Sequence, residues 1–248
     1  MSNSLHRAKA SGPISRMLRL WPLLALLPAG CQWAAQSQNA EGVKMFQQAY
    51  YAGALQSFQK AVQTDPQNSD GYYNLAATYH RLGDLNHQPV YYQQAESMYH
   101  QCLDHDPNHS DCYRGLAVLL NSQNRSQDAF KLVQGWSERS PLLAAPKIEL
   151  ARLYEESGNP AGAKQQLIEA IATDPNNARA LAALGKLREE SGETAQALAN
   201  YQRSLNLNRY QPQVAARVAS LQSSMLPGPI VTPPGGTRTV VAPQPKFR

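Results

Sequence analysis

Apolar positions recur at helical spacing through most of the chain, and they come in pairs of short runs. Leu150, Ala151 and Tyr154 mark one amphipathic run. Gly158-Asn159-Pro160 interrupts it, Ala163, Leu167 and Ala170 mark a second, and Asp174-Pro175 closes it. This predicts two helices joined by a tight turn. Neither can bury its apolar face alone, and the pattern returns. Prolines close it at Pro66, Pro107, Pro141 and Pro175, which places the last three 34 residues apart. Twelve residues before each proline stand Ala54, Ala95, Ala129 and Ala163. Eight before stand Phe58, Tyr99, Val133 and Leu167, and five before stand Ala61, Cys102, Trp136 and Ala170. Nine after stand Leu75, Leu116, Leu150 and Leu184, followed by Ala76, Ala117, Ala151 and Gly185. Seventeen after stand Gly83, Asn124, Gly158 and Gly192. Small columns let helix backbones approach, large ones fill the space beside them, and Gly or Asn supplies a left-handed cap. Trp136 and Val133 fit their columns poorly, so the third unit is expected to pack differently.

These columns resemble the tetratricopeptide repeat family over residues 35–211. The units are 35–68, 69–109, 110–143, 144–177 and 178–211, with a capping helix at Pro212–Met225. The resemblance implies an all-α, right-handed superhelical solenoid of about five helix hairpins plus that cap, a domain spanning 39–226. The second unit is seven residues too long. The excess, residues 85–94 with Tyr91 and Tyr92, is assigned to the turn or to a longer second helix. The resemblance also implies a concave groove lined by the first helices, which binds a peptide or a partner helix. Its expected lining is Tyr73, His80, Arg114, Asn121, Ile148, Arg152, Glu155 and Lys186, with Ala77, Val118, Ala182 and Glu189. The two arginines beside Tyr73 and Ile148 suit a peptide with an acidic or polar end and an apolar side chain. The Lys/Asn clamp of some family members is not matched, since Val118 follows Arg114 where Asn is needed.

The N-terminus changes the setting. Residues 1–30 hold Arg7, Lys9, Arg16 and Arg19 without an acid, then the short apolar run LRLWPLLALL at 18–27. That run is too short to span a membrane and reads as a signal peptide. Ala29-Gly30-Cys31 resembles a bacterial lipoprotein processing site, which implies lipidation at Cys31; Pro28 departs from the pattern. An ordinary signal peptide or an uncleaved anchor are the alternatives. Residues 31–38 are expected as a short linker. Without an Asp after the Cys, the resemblance implies the periplasmic face of an outer membrane or the cell surface. Residues 227–248, PGPIVTPPGGTRTVVAPQPKFR, read as a disordered tail. Removing the four basic residues of 1–30 takes the formal charge from +5 to +1, and the three of the tail take 31–226 to −2. With no basic, aromatic-interleaved face, nucleic acid is excluded as a partner.

One cluster carries candidate chemistry. Cys102, His105, His109 and Cys112 offer a zinc-type donor set. The register places Cys102 in a small, inward column, away from both histidines, so no metal is expected. A Cys102–Cys112 disulfide ranks above a metal and below two free thiols. There is no Gly-rich phosphate loop, GxSxG or HExxH motif. Glu155-Glu156 and Glu189-Glu190 are adjacent and so do not share a helix face. The sequence therefore points to a non-enzymatic, lipid-anchored envelope scaffold with a protein or peptide partner and no cofactor. Pilus, outer-membrane and cell-wall machinery are its candidate settings. The alternative is a regulatory subunit of an envelope enzyme, such as a polysaccharide synthase or a peptidoglycan hydrolase. Oligomeric state is not readable.

Overall fold

A computed structural model describes the backbone of residues 27–225, with side chains from Trp33 onward. Residues 1–26 of the expected signal peptide, the Cys31 side chain and the tail 227–248 lie outside the described residues. Among those described, the chain forms eleven helices and no strand. They are α1 (Leu27–Gln47), α2 (Tyr51–Thr64), α3 (Ser69–Asn86), α4 (Pro89–His105), α5 (Ser110–Ser122) and α6 (Ser126–Arg139), then α7 (Ala144–Glu156), α8 (Pro160–Thr173), α9 (Ala178–Glu190), α10 (Thr194–Leu207) and α11 (Pro212–Met225). The described residues fall into two compact units, divided between Leu153 and Tyr154 inside α7.

The punctuation between repeats is local chemistry. Asp65, Asp106 and Asp174 end α2, α4 and α8, and each carboxylate accepts the amide N–H two residues on, at 3.0–3.2 Å. Such a turn holds the chain while the following proline ends the helix. Asn68, Asn159 and Asn177 then cap α3, α8 and α9, each side chain accepting from the amide three residues on. These bonds satisfy amide groups that a helix start leaves without partners. Gly158 and Gly192 adopt φ of +76° and +78° after α7 and α9, and Asn124 does the same after α5 at +61°. Gly83 does not. α3 runs on to Asn86, and His87 is the left-handed residue instead. The excess residues of the second unit lengthen α3 and α4 rather than forming a loop. Tyr92 lies flat over Gly83, where a Cβ would come within 2.6 Å of its ring, and Tyr91 stacks on Tyr79.

In the first unit, α1 packs on α2, α3 on α4 and α5 on α6, with α2 against α3 and α4 against α5. Its core joins Ala76, Ala95, Tyr99, Leu116, Ala117, Ala129 and Leu153. In the second, α9 and α10 pair, with α8 on α9 and α11 on α10. Leu221 of α11 is buried against the cluster of Ala197 and Tyr201, with Val214 and Val218 beside it. Residues 31–38, expected as a linker, are helix. The stretch has no proline or glycine, Ala35 is buried, and Gln38 accepts a bond from Thr64 of α2. The third repeat does depart from its neighbours. Trp136 is fully buried and stacks on Tyr113, with ring centres 4.1 Å apart and planes 3° apart. Its indole N–H donates to Asn108 in the turn before α5 at 3.0 Å. A large ring in a small column is accommodated by stacking on this second ring and by its tie to the turn.

Trp136→Ala should therefore destabilise the first unit by about 3–5 kcal/mol, and Trp136→Phe by less. Urea denaturation followed by circular dichroism measures both.

Candidate functional site

In the first unit, two of the expected groove residues, Arg114 and Arg152, meet an acid that their spacing does not announce. α7 is buried on nearly all sides: Ala144, Pro146, Ile148, Glu149, Leu150, Ala151 and Leu153 are covered. Glu149 keeps none of its side chain exposed. A buried carboxylate must be paired and hydrogen-bonded to be tolerated. Arg114 of α5 donates Nε and Nη2 to Oε1 at 3.0 and 2.8 Å, and Arg152 donates Nε to Oε2 at 3.0 Å. Asp111 lies 3.7 Å from Arg114 Nη1. Two guanidinium groups thus meet the buried carboxylate, with Asp111 beside one of them. Burial pulls the Arg114 pKa down, but the hydrogen bond and charge of Glu149 outweigh it and hold it above its ordinary value. The acidic group sought in a partner is supplied here by the chain itself. Ile148, expected in the groove, is buried with the rest of its helix.

Tyr73 stacks on His109 with ring centres 5.6 Å apart, and burial raises its pKa. His80 meets Tyr92 and Tyr99 edge-on and lies 3.9 Å from Asp84. Burial lowers its pKa below the ordinary 6.5, against a smaller upward pull from Asp84. Asn121 is half-buried in α5. These side chains are packed into the face rather than standing free on it.

The second unit has open space. A pocket of about 440 Å³ lies between α9 and α11 over Tyr201. Ala182, Ala183 and Val214 give it an apolar floor, and Lys186, Glu189, Glu190 and Arg217 surround it. Lys186 pairs closely with Glu155 and lies 3.7 Å from Glu190. Glu189 accepts from the Tyr201 hydroxyl at 3.0 Å and from Arg217 Nε at 3.1 Å, with Arg217 Nη2 closer still on its other oxygen. Burial, and then the bond to Glu189, push the Tyr201 phenol up to about 12. The rim charges are therefore satisfied within the unit, and the floor is what remains for a ligand. Of the predicted lining, Ala182, Lys186 and Glu189 reach this pocket, and Glu155 pairs with Lys186. Tyr201 and the α11 residues were not anticipated, because α11 reads only as a cover for an open end.

The cysteine cluster takes the possible disulfide rather than the free thiols ranked above it. Cys102, in the last turn of α4, and Cys112, in the first turn of α5, are joined in a disulfide with Cα atoms 6.5 Å apart. The inward column did not turn Cys102 away from His109. Ligand atoms of Cys102, His109 and Cys112 lie within 4.8 Å of one another. His105 goes elsewhere, stacking on Tyr72 and meeting Gln67. No helix among the described residues is long and apolar enough to cross a membrane.

Models of tetratricopeptide repeats match residues 45–83, 69–109 and 148–212. No curated protein matches the chain. Solved structures do. A thermophilic tetratricopeptide protein of Thermus thermophilus aligns at TM-score 0.57 and 23% identity, over 77% of this chain and 100% of that one. A tetratricopeptide protein of Parabacteroides merdae aligns at 0.57 and 13% identity, over 76% and 71%. PilF of Pseudomonas aeruginosa aligns at 0.51 and 18% identity, over 79% and 91%. At such identities the likeness is one of fold.

Glu149→Gln leaves two guanidinium groups facing a neutral amide and should cost about 3 kcal/mol; the urea midpoint reads it. His80 titrates in the direction that favours its neutral ring. Its contribution is complete above the unfolded value of 6.5 and is lost as pH falls through 6.5 towards the lower folded value. Between about pH 7.5 and about pH 5.5, the wild-type midpoint should fall further than that of His80→Gln.

Proposed function

Because the chain belongs to the tetratricopeptide repeat family, whose members are protein–protein interaction scaffolds, we propose that it is a lipid-anchored scaffold of the bacterial envelope. In this reading it holds a partner peptide or helix by an apolar side chain seated between α9 and α11. The pocket over Tyr201 carries the proposal. Its floor is apolar and its charges are already paired, so an aliphatic side chain can enter without leaving a buried ion unmatched. The volume of about 440 Å³ suits one such side chain with its neighbouring backbone.

The anchor rests on the basic start, the short apolar run and Ala29-Gly30-Cys31. One lipidated cysteine can carry several acyl chains, and multiple chains hold firmly where a single one does not. The partner belongs to the envelope on the same grounds, at the outer-membrane or cell surface. The repeat matches support a scaffold role.

Selection from a random peptide library should return peptides with one recurring aliphatic residue. Ala183→Trp fills the floor and should weaken them by at least about tenfold, or 1.4 kcal/mol. Ala199→Trp, on the exposed side of α10, should leave binding unchanged. Equal binding by Ala183→Trp would sink the pocket. In the native membrane fraction, intact mass should show a chain starting at Cys31 with acyl mass added, and Cys31→Ser should release the protein from the membrane.

A further inference from the structure

His109 is the one histidine among the caps that start the repeats. Asn68 and Asn177 hold the corresponding place in the second and fifth repeats, and Leu143 in the fourth. Its Nδ1 accepts the Cys112 amide N–H at 3.2 Å. A nitrogen that accepts an amide hydrogen carries a lone pair, so the ring proton sits on Nε2. There it faces Asp70 Oδ1 at 3.0 Å and is donated to it. The carboxylate thus fixes both the tautomer and the tilt of the ring, and leaves Nδ1, beside the Cys112 amide, as the nitrogen without a proton. Histidines that ligate metals are held in this way, by a carboxylate on the nitrogen away from the metal.

The sulfurs are equally well placed. Cys102 and Cys112 project from helix ends and keep no exposed surface. Two sulfurs and one imidazole nitrogen lie within 4.8 Å of one another. A soft donor set of this kind selects thiophilic ions. Zinc fills four positions, three from protein and one from water when a protein ligand is missing. His105, the residue nearest in sequence to supply a fourth donor, is committed to Tyr72. With both sulfurs fully buried, three donors of this softness suit monovalent copper.

We propose that, once the disulfide is opened, Cys102, Cys112 and His109 Nδ1 bind one Cu(I) ion in a three-coordinate site, with Asp70 orienting the imidazole. A dithiol reductant supplies two electrons and two protons to the sulfur pair and leaves as its own disulfide. Binding then releases the two thiol protons to solvent, and the Cys112 amide gives up its acceptor to the metal. Linked sulfurs cannot ligate, so the redox state decides whether the site exists. The proposal is independent of the peptide-binding reading and involves none of its residues.

The test uses the full chain, reduced with a dithiol under anaerobic conditions and titrated with Cu(I) against a chromophoric copper chelator. The reduced chain should withhold one Cu(I) from the chelator, and the disulfide form none. The Cys102→Ser/Cys112→Ser double variant, which keeps Cys31, should also withhold none. His109→Asn installs the cap residue of the second and fifth repeats, without an imidazole. It should keep the wild-type circular dichroism and lower affinity by at least about tenfold, with a smaller loss for Asp70→Asn. X-ray absorption of the loaded chain should show two sulfur neighbours and one nitrogen. Copper withheld equally by the double variant, an unchanged affinity in His109→Asn, or uptake of zinc without Cu(I) would each overturn the assignment.

Discussion

A ring laid on bare backbone is the contact that sets how neighbouring helices meet, within a hairpin and between hairpins. Phe58 covers Gly42, Tyr99 covers Gly115 and Tyr201 covers Gly185, each so closely that a Cβ would stand 2.5–2.8 Å from ring atoms. Packing this tight leaves a first helix little freedom to rotate about its own axis. Rotation decides which side chains meet which neighbours. Arg114 adjoins Gly115 and Lys186 adjoins Gly185 in the chain. Their directions, towards Glu149 in one unit and over the α9–α11 pocket in the other, follow from the rings on the opposite side.

Within that frame, electrostatics separates two kinds of face. Around Glu149 every strong charge already has a partner, and the acid itself has no access to water. Such an arrangement specifies how α5 meets α7 and offers a newcomer little. Around Tyr201 the charges are paired too, but they surround apolar space instead of filling it. Recognition there rests on shape and burial, with charge setting the border.

The fold was legible because the columns are physical: Ala54, Ala95, Ala129 and Ala163 are all fully buried where the register places them. The candidate site was legible only in part. Arg114, Arg152 and Lys186 could be assigned to one face by spacing, but spacing is silent about partners from another helix. Glu149 looked like any polar residue beside Ile148, and its burial arises from the packing around α7. Arg217 was hidden by the reading of α11 as a cap. Gly83 kept its column and lost its expected role, since seven extra residues let α3 continue past it. The cysteines fell to a similar limit: a column describes direction within one hairpin, whereas Cys102 and Cys112 meet across two.

Stacked repeats ordinarily unfold like a zipper, because each holds only its neighbours and any interface can open first. The bond between α4 and α5 removes one of those opening points. It closes a loop of ten residues and withholds about 3 kcal/mol of chain entropy from the unfolded ensemble by the loop-closure estimate. Opening at the junction of the second and third repeats is thereby made less favourable than at a junction without a crosslink.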